Sequence, residues 1–349
     1  MAGPGRFSQP WCMDSSSLET WYNENIQRGT EDFDRDCKRA INEVVLSVQS
    51  ICKSGGLRFN VDRIVKGGSL GKGTMVKDLS DVDLIAFINP PDLDSILTLG
   101  LSEYKRKLAA VIENLYTALK RLPSVSAVSK NEFLVIFNIR VGSRCMSIDF
   151  LPTSSKCAGP GRAYFPLSSP AHHSDMFLAM LYLNDIKDRV FYSGSLAEHQ
   201  VNFVGSQPGY VKELVRLVKY WANDYLPEKL KKSYRLELIT IHLWEKAGKP
   251  VKFSKAQGLK NVLEVLTKLT ALRVTSWPGS NQIYTEMAQK AITRFGMQNP
   301  IVLDPIEPTD NVCQLYQQGT NGIEIASAAE QTLQTPLLKY VTVHQGWKK

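Results

Sequence analysis

Three aspartates and one glycine-rich turn are the residues of this chain best suited to chemistry. The turn reads Lys66-Gly67-Gly68-Ser69-Leu70-Gly71-Lys72-Gly73-Thr74, and Ser80-Asp81-Val82-Asp83-Leu84 follows. Glycines let a backbone approach a ligand closely. Free N–H groups and the Ser69 hydroxyl can then hold phosphate oxygens, with Lys66 and Lys72 adding positive charge. Asp81 and Asp83 stand two apart at the start of a strand, so both point to one face while Val82 and Leu84 point into the core. Two adjacent carboxylates repel unless a cation lies between them, and a hard, oxygen-loving ion such as Mg²⁺, with Mn²⁺ as a substitute, suits them.

The third acid is Asp149, in Met146-Ser147-Ile148-Asp149-Phe150-Leu151-Pro152. Its apolar flanks mark a buried strand, where a lone carboxylate is costly unless paired or metal-bound. Together Asp81, Asp83 and Asp149 have the makings of a two-metal site for in-line displacement at a phosphate. Asp149 is the ligand nearest the attacking hydroxyl and its general base. "Gly-Lys-Gly-Thr" is not a Walker loop, because Gly73 stands where Ser or Thr must follow the lysine. Turn, acid pair and third acid therefore point to nucleotidyl transfer from a nucleoside triphosphate.

The elements that would position these groups can be read from periodicity. Phe33, Cys37, Ile41, Val44, Val48 and Ile51 fall on one helical face, and Ser54-Gly55-Gly56 ends that helix. Strands are expected at residues 58–66, 82–88, 132–141 and 144–151, the last two joined by a Gly142-Ser143 hairpin turn. An amphipathic helix spans 104–119 between them. After Cys157-Ala158-Gly159-Pro160-Gly161, a loop or hinge, the pattern turns helical, most clearly near 209–224, 233–247 and 254–270. A closing strand is expected at Tyr340–His344. Strands first and helices after make an α+β chain: a mixed-sheet N-terminal lobe and a mainly helical C-terminal lobe, with the active site in the cleft. Residues 1–15 read as a flexible tail, 16–155 as the catalytic lobe with N-terminal helices, and 156–349 as the helical lobe.

Composition agrees with a folded chain. The 349 residues are 43% hydrophobic and 22% charged, ordinary values for a globular protein. The net charge of +8 suits polyphosphate or nucleic-acid partners. The six cysteines are scattered without a C-x-x-C pair, which argues against a zinc ribbon or a disulfide scaffold. With no signal peptide and no membrane span in view, a cytoplasmic, monomeric protein is expected. His172-His173 lacks ligands at supporting spacing and reads as a cap or surface pair.

These motifs closely resemble the 2′-5′-oligoadenylate synthetases. The chain carries that family's G-G-S-x-G-K-G-T and S-D-x-D at Gly67–Thr74 and Ser80–Asp83, and its D-x-L-P at Asp149–Pro152. It also carries L-x-R-L-V-K-x-W at Leu214–Trp221, Y-x-L-E-L-x-T at Tyr234–Thr240 and L-D-P-x-x-P-T-x-N at Leu303–Asn311. The resemblance implies a bilobal nucleotidyltransferase fold and an antiviral, innate-immune enzyme. Such an enzyme joins ATP into 2′-5′-linked oligoadenylates and releases pyrophosphate. It implies metal binding by Asp81, Asp83 and Asp149, and donor-triphosphate contacts from Gly68 and Ser69. Lys219 would grip donor phosphates with Arg216 on the same helix face, Tyr234 would stack on the donor base, and Asn311 would lie in a segment closing the nucleotide pocket.

Family members of vertebrates are switched on by double-stranded RNA. The resemblance puts Lys66 and Lys72 at the RNA surface, yet residues 199–211, the second basic patch of the family, contain no Lys or Arg. Duplex recognition depends on many phosphate contacts, so a reduced or absent RNA requirement is expected. Ser233 replaces a frequent glutamine beside the base-stacking tyrosine, which suggests looser base preference. Two rivals remain: a cyclic-dinucleotide synthase of the cyclic GMP-AMP synthase type, and a catalytically silent RNA-binding member. The first would be distinguished by its products from ATP with GTP, the second by an absence of turnover.

Overall fold

The computed structural model describes residues 9–57, 59–76, 82–141, 144–158, 170–344 and 347. Asp81 and the Gly142-Ser143 turn lie outside the described residues, as does the linker from Gly159 to Gly161.

The first lobe is built on strands β1 (Val61–Lys66), β2 (Val82–Ile88), β3 (Val125–Lys130), β4 (Val135–Val141) and β5 (Arg144–Ser154). They lie in the order β1-β2-β5-β4-β3, with β2 and β5 parallel and the other pairs antiparallel. The helices of this half are α1 (Leu18–Tyr22), α2 (Arg28–Lys53), α3 (Gly68–Lys72), α4 (Ile96–Leu99) and α5 (Leu101–Leu119). Alternation sorts the sheet into two faces. Val82, Leu84, Ala86 and Ile88 share a core with Phe137, Ile139, Ile148 and Phe150, and this face packs against Cys37, Val44 and Val48 of α2 and Leu108, Ile112 and Leu115 of α5. Asp83 and Asp149 therefore project from the other face.

The second lobe contains α6 (Pro170–Leu181), α7 (Val190–Gly205), α8 (Gly209–Tyr225), α9 (Ser233–Lys246), α10 (Lys255–Leu266), α11 (Gln282–Arg294), α12 (Asn321–Leu333) and α13 (Pro336–Lys339). A short parallel pair, β6 (Arg273–Val274) and β7 (Ile301–Val302), lies among them. The core of α8–α10 gathers Leu214, Val218 and Trp221, Leu236 and Ile239, and Leu259 and Leu263, whereas Met176, Phe177 and Met180 of α6 and Phe191 and Leu196 of α7 pack into the core of the first lobe.

Two expectations change. Pro10 and Trp11, assigned to a flexible tail, are buried; Trp11 Nε1 donates to Asp224 Oδ2 at 2.9 Å. Trp11, Leu18, Trp21, Tyr22 and Ile26 belong to the core of the helical lobe, so residues 11–26 pack there before α2 enters the first lobe. Large aromatic rings so close to a terminus bury surface that water would otherwise have to cover. The closing strand at Tyr340–His344 does not form; α13 ends at Lys339, the stretch after it is irregular, and Tyr340 is exposed. Among the described residues no helix is long and apolar enough to cross a membrane.

Candidate active site

The parallel pairing of β2 with β5 sets Asp83 directly beside Asp149. Neighbouring strands lie about 4.8 Å apart, and registered side chains share a face, so the two carboxyl groups stand side by side. Both residues are half-buried, between neighbours that are fully buried: Val82 and Leu84, Ile148 and Phe150. Asp149 is thus more open than its apolar sequence neighbours imply.

The glycine turn folds against this pair. The Gly67 N–H donates to the Asp83 carbonyl at 2.7 Å. Gly68 has φ +47° and lies so close to the Asp83 carboxylate that an added Cβ would fall 1.7 Å from Oδ2. Only a residue without a side chain fits there. Gly71 is equally constrained, since its Cβ would fall 2.1 Å from the Lys66 carbonyl oxygen. Ser69 sits in the first turn of α3, directly after Gly68, and its carbonyl accepts from the Thr74 N–H at 3.0 Å.

The end of the turn is clamped by groups from the helical lobe. Arg216 Nη2 donates to the Gly73 carbonyl at 2.9 Å, and Lys219 Nζ to the Thr74 carbonyl at 2.9 Å. Arg216 Nη1 also donates to Gln27 Oε1 at 3.2 Å. Beneath them Glu237, fully buried on α9, accepts from Thr74 Oγ1 at 2.7 Å and pairs with Lys72 Nζ at 3.0 Å, with Lys219 Nζ 3.9 Å away. Burial alone would raise the Glu237 carboxyl, but Lys72 and Lys219 hold it below the ordinary carboxylate range. Lys219 is brought down to about 8, chiefly by burial, against the pull of Glu237. A buried cation of this kind is tolerated because it is paired.

The residues expected to act here divide into groups. Asp83, Asp149, Gly68 and Ser69 come together. Arg216 and Lys219 meet the turn, and do so through its backbone. Lys66 is exposed at the end of β1, whereas Lys72, expected on an RNA surface, is buried with Glu237 and stacked 3.9 Å over the Tyr234 ring. Tyr234 thus presents one ring face to the Lys72 ammonium group. Asn311 is a backbone clamp: its Oδ1 accepts from the Val302 and Cys313 N–H groups at 2.9 and 3.1 Å, and its Nδ2 donates to the Pro300 carbonyl at 3.0 Å. Thr74 and Glu237 were missed as members of the site. Their signal was an acid inside the apolar run Leu236-Glu237-Leu238-Ile239.

A sheet bearing paired acids under a glycine turn defines the class. Residues 48–142 match the family model described as a nucleotidyltransferase domain, and the chain is a nucleotidyltransferase by fold. Residues 173–348 match the model for 2′-5′-oligoadenylate synthetase 1, domain 2, C-terminus; that is half of the chain, and it belongs to the 2′-5′-oligoadenylate synthetase family. It is 27% identical to 2′-5′-oligoadenylate synthase 1A of Rattus norvegicus, covering 87% of this chain and 86% of that protein. The identity is also 27% with the inactive 2′-5′-oligoadenylate synthase 1B of the same species, over 88% of this chain and 82% of the relative. Among solved structures, the E. coli MS115-1 CdnC:HORMA-deltaN complex has the same fold, with a TM-score of 0.55, 19% identity and coverage of 92% and 90%. A mutant of the Cid1 poly(U) polymerase bound to MgATP aligns with a TM-score of 0.56 at 14% identity, covering 95% and 96%.

Proposed function

We propose that this protein joins ATP units through 2′-5′ phosphodiester bonds in the cytoplasm. The observation that carries the reading is the registered Asp83–Asp149 pair under the side-chain-free Gly68. A 2′ hydroxyl of the acceptor attacks the α-phosphorus of the donor ATP. The bond from that phosphorus to the bridging oxygen breaks, pyrophosphate leaves, and the hydroxyl proton passes to the Asp149 carboxylate. Donor ATP is further supported by solved proteins of the same fold described with ATP and with MgATP.

The donor set fits Mg²⁺ or Mn²⁺: adjacent carboxylate oxygens on an open sheet face, with no Cβ above them. Asp83 and Asp149, with Asp81, would hold the ions, whose charge would acidify the acceptor hydroxyl and neutralise the leaving pyrophosphate. Ser69 and the N–H groups of the turn orient the triphosphate. Lys219 fixes the turn from below and places a positive charge near it.

We further propose that duplex RNA is dispensable or of reduced effect. Residues 199–211 contribute no Lys or Arg, and Lys72 is already committed to Glu237.

The test is product analysis by chromatography with purified, nuclease-treated protein, ATP and Mg²⁺, with and without duplex RNA. Oligomers resistant to nucleases specific for 3′-5′ linkages, and pyrophosphate, are expected in both arms. Turnover only with RNA overturns the second proposal. Cyclic products that require GTP, or no turnover in either arm, overturn the first; the latter outcome would place this chain with relatives such as the inactive rat synthase 1B.

A further inference from the structure

Helix α7 has two sides with different neighbours. On one side Gly194 faces Leu151 and Thr153 of β5, Gly205 faces the Gly71 carbonyl, and Val201 lies against Gly71, where an added Cβ would come within 2.8 Å of Val201 Cγ1. This side touches the nucleotide turn.

A second, neighbouring stripe is fastened to the segment between β7 and Asn311. Arg189, one residue before the helix, places Nε 3.1 Å from Glu307 Oε1 and Nη1 3.1 Å from Asp310 Oδ1. Ser193 Oγ donates to Glu307 Oε2 at 2.8 Å, and Gln200 Nε2 donates to Asp304 Oδ2 at 2.8 Å. These three positions recur along one helical stripe.

The anchor is itself fixed to the helical lobe. Asp304 Oδ1 accepts from the Ile306 and Glu307 N–H groups at 2.7 and 3.0 Å. Trp277 Nε1 donates to the Leu303 carbonyl and the Tyr284 hydroxyl to the Asp304 carbonyl, both at 2.8 Å. Asp304 and Glu307 are fully buried. A buried carboxylate of this kind is held in place by its donors and holds them in place in return.

The geometry points to Asp304 as a positioning residue for the nucleotide turn. It touches no reacting atom. Through Gln200 it sets the C-terminal half of α7, through Val201 and Gly205 that half sets Gly71, and the same short helix carries Gly68 against Asp83. The effect on turnover rests on the nucleotidyl-transfer reading; the effect on the turn does not.

The pair can be tested by exchanging its roles. Gln200→Glu sets a second carboxylate against Asp304. Asp304→Asn keeps a bond, because Gln200 can turn its amide and accept from the new Nδ2. The double variant Gln200→Glu/Asp304→Asn restores an acceptor opposite a donor. Two readouts are taken on the full chain: hydrogen–deuterium exchange of the peptide covering 67–74, and steady-state pyrophosphate release from ATP with Mg²⁺. Gln200→Glu is expected to speed exchange at 67–74 roughly 10-fold or more. It should lower kcat roughly 10- to 100-fold while KM for ATP changes less than about twofold. Asp304→Asn and the double variant should stay near wild type in both. If Gln200→Glu does not fold, Gln200→Leu deletes the bond without adding charge and gives the same comparison. Unchanged exchange at 67–74 in the single variant, or no recovery in the double, overturns the assignment. Absent turnover in wild type, with the exchange pattern intact, removes the functional reading and leaves the positioning role standing.

Discussion

The molecule contains two sets of carboxylates built on opposite principles. Asp83 and Asp149 lie half-open on a sheet face, placed by backbone register. Asp304, Glu307 and Asp310 lie in the helical lobe, where Gln200, Ser193, Arg189 and two backbone N–H groups meet them. Burial pushes the Asp304 carboxyl up to about 6, with Asp310 adding to the rise. Burial likewise raises Glu307, again with help from Asp310. Asp83 and Asp149 are thus aligned by strand register, whereas Asp304 and Glu307 are held by side-chain and backbone donors deep in the protein.

The largest effects are expected at Asp83, Asp149 and the turn above them. Asp149→Ala should reduce pyrophosphate release by about 10³-fold or more, with the melting temperature little changed, because the strand pairing around it rests on backbone hydrogen bonds. A large loss of melting temperature instead would make Asp149 architectural. Gly68→Ala should cost ~10²-fold in kcat, since the new Cβ collides with the Asp83 carboxylate and the positive φ is strained; wild-type kinetics would show that the turn can move away.

The enclosed groups should answer through stability. Glu237→Ala leaves Lys72 and Lys219 buried together and should lower unfolding free energy by ~3–5 kcal/mol in urea titration. Asn311→Ala removes acceptors from two backbone N–H groups and should cost about 2–3 kcal/mol, with KM for ATP unmoved. A rise in KM without loss of stability would return Asn311 to the nucleotide pocket.

The smallest effect is on pH. Lys219, at about 8, is charged below that pH and neutral above it. As pH rises through 8, its support for a triphosphate should fade and KM for ATP should increase several-fold. Stability moves the other way. The unfolded chain keeps this proton to about pH 10.4 while the folded one releases it near 8. Between those values the unfolded state binds more protons, so this group makes folding more favourable as pH rises. A Lys219→Arg variant should flatten the KM profile.

Much of this was legible in the sequence because it is local. Period-two alternation placed Asp83 on the open face, and glycine spacing marked the turn. That Asp149 joins the acid pair was read from the cost of a lone carboxylate between apolar neighbours; the parallel register that sets it beside Asp83 has no local signal. What escaped is long-range. Glu237 meets Thr74 across 163 positions, and no periodicity announces that an acid in an apolar helix will neutralise lysines from a distant turn. Trp11 was read as part of a flexible tail because its partner Asp224 is 213 positions away. The edge strand β3 was overlooked because its burial is weak and its register with β4 shifts after Ser126. Asn311 was assigned to nucleotide through its motif, although asparagine near a turn is just as apt to bind its own backbone.

The strand order has a consequence for the growing chain. β5 is made last and occupies the centre of the sheet, between the β1-β2 ladder and the β3-β4 ladder. β1 with β2, and β3 with β4 and β5, can each zip up from neighbours in sequence, since Val141 of β4 already pairs with Arg144 of β5; the two halves must then join through the long-range parallel pairing of β2 with β5, a slow kind of step. Asp149 arrives with that strand. A half-made or misassembled first lobe therefore lacks the Asp83–Asp149 pair until the sheet is complete.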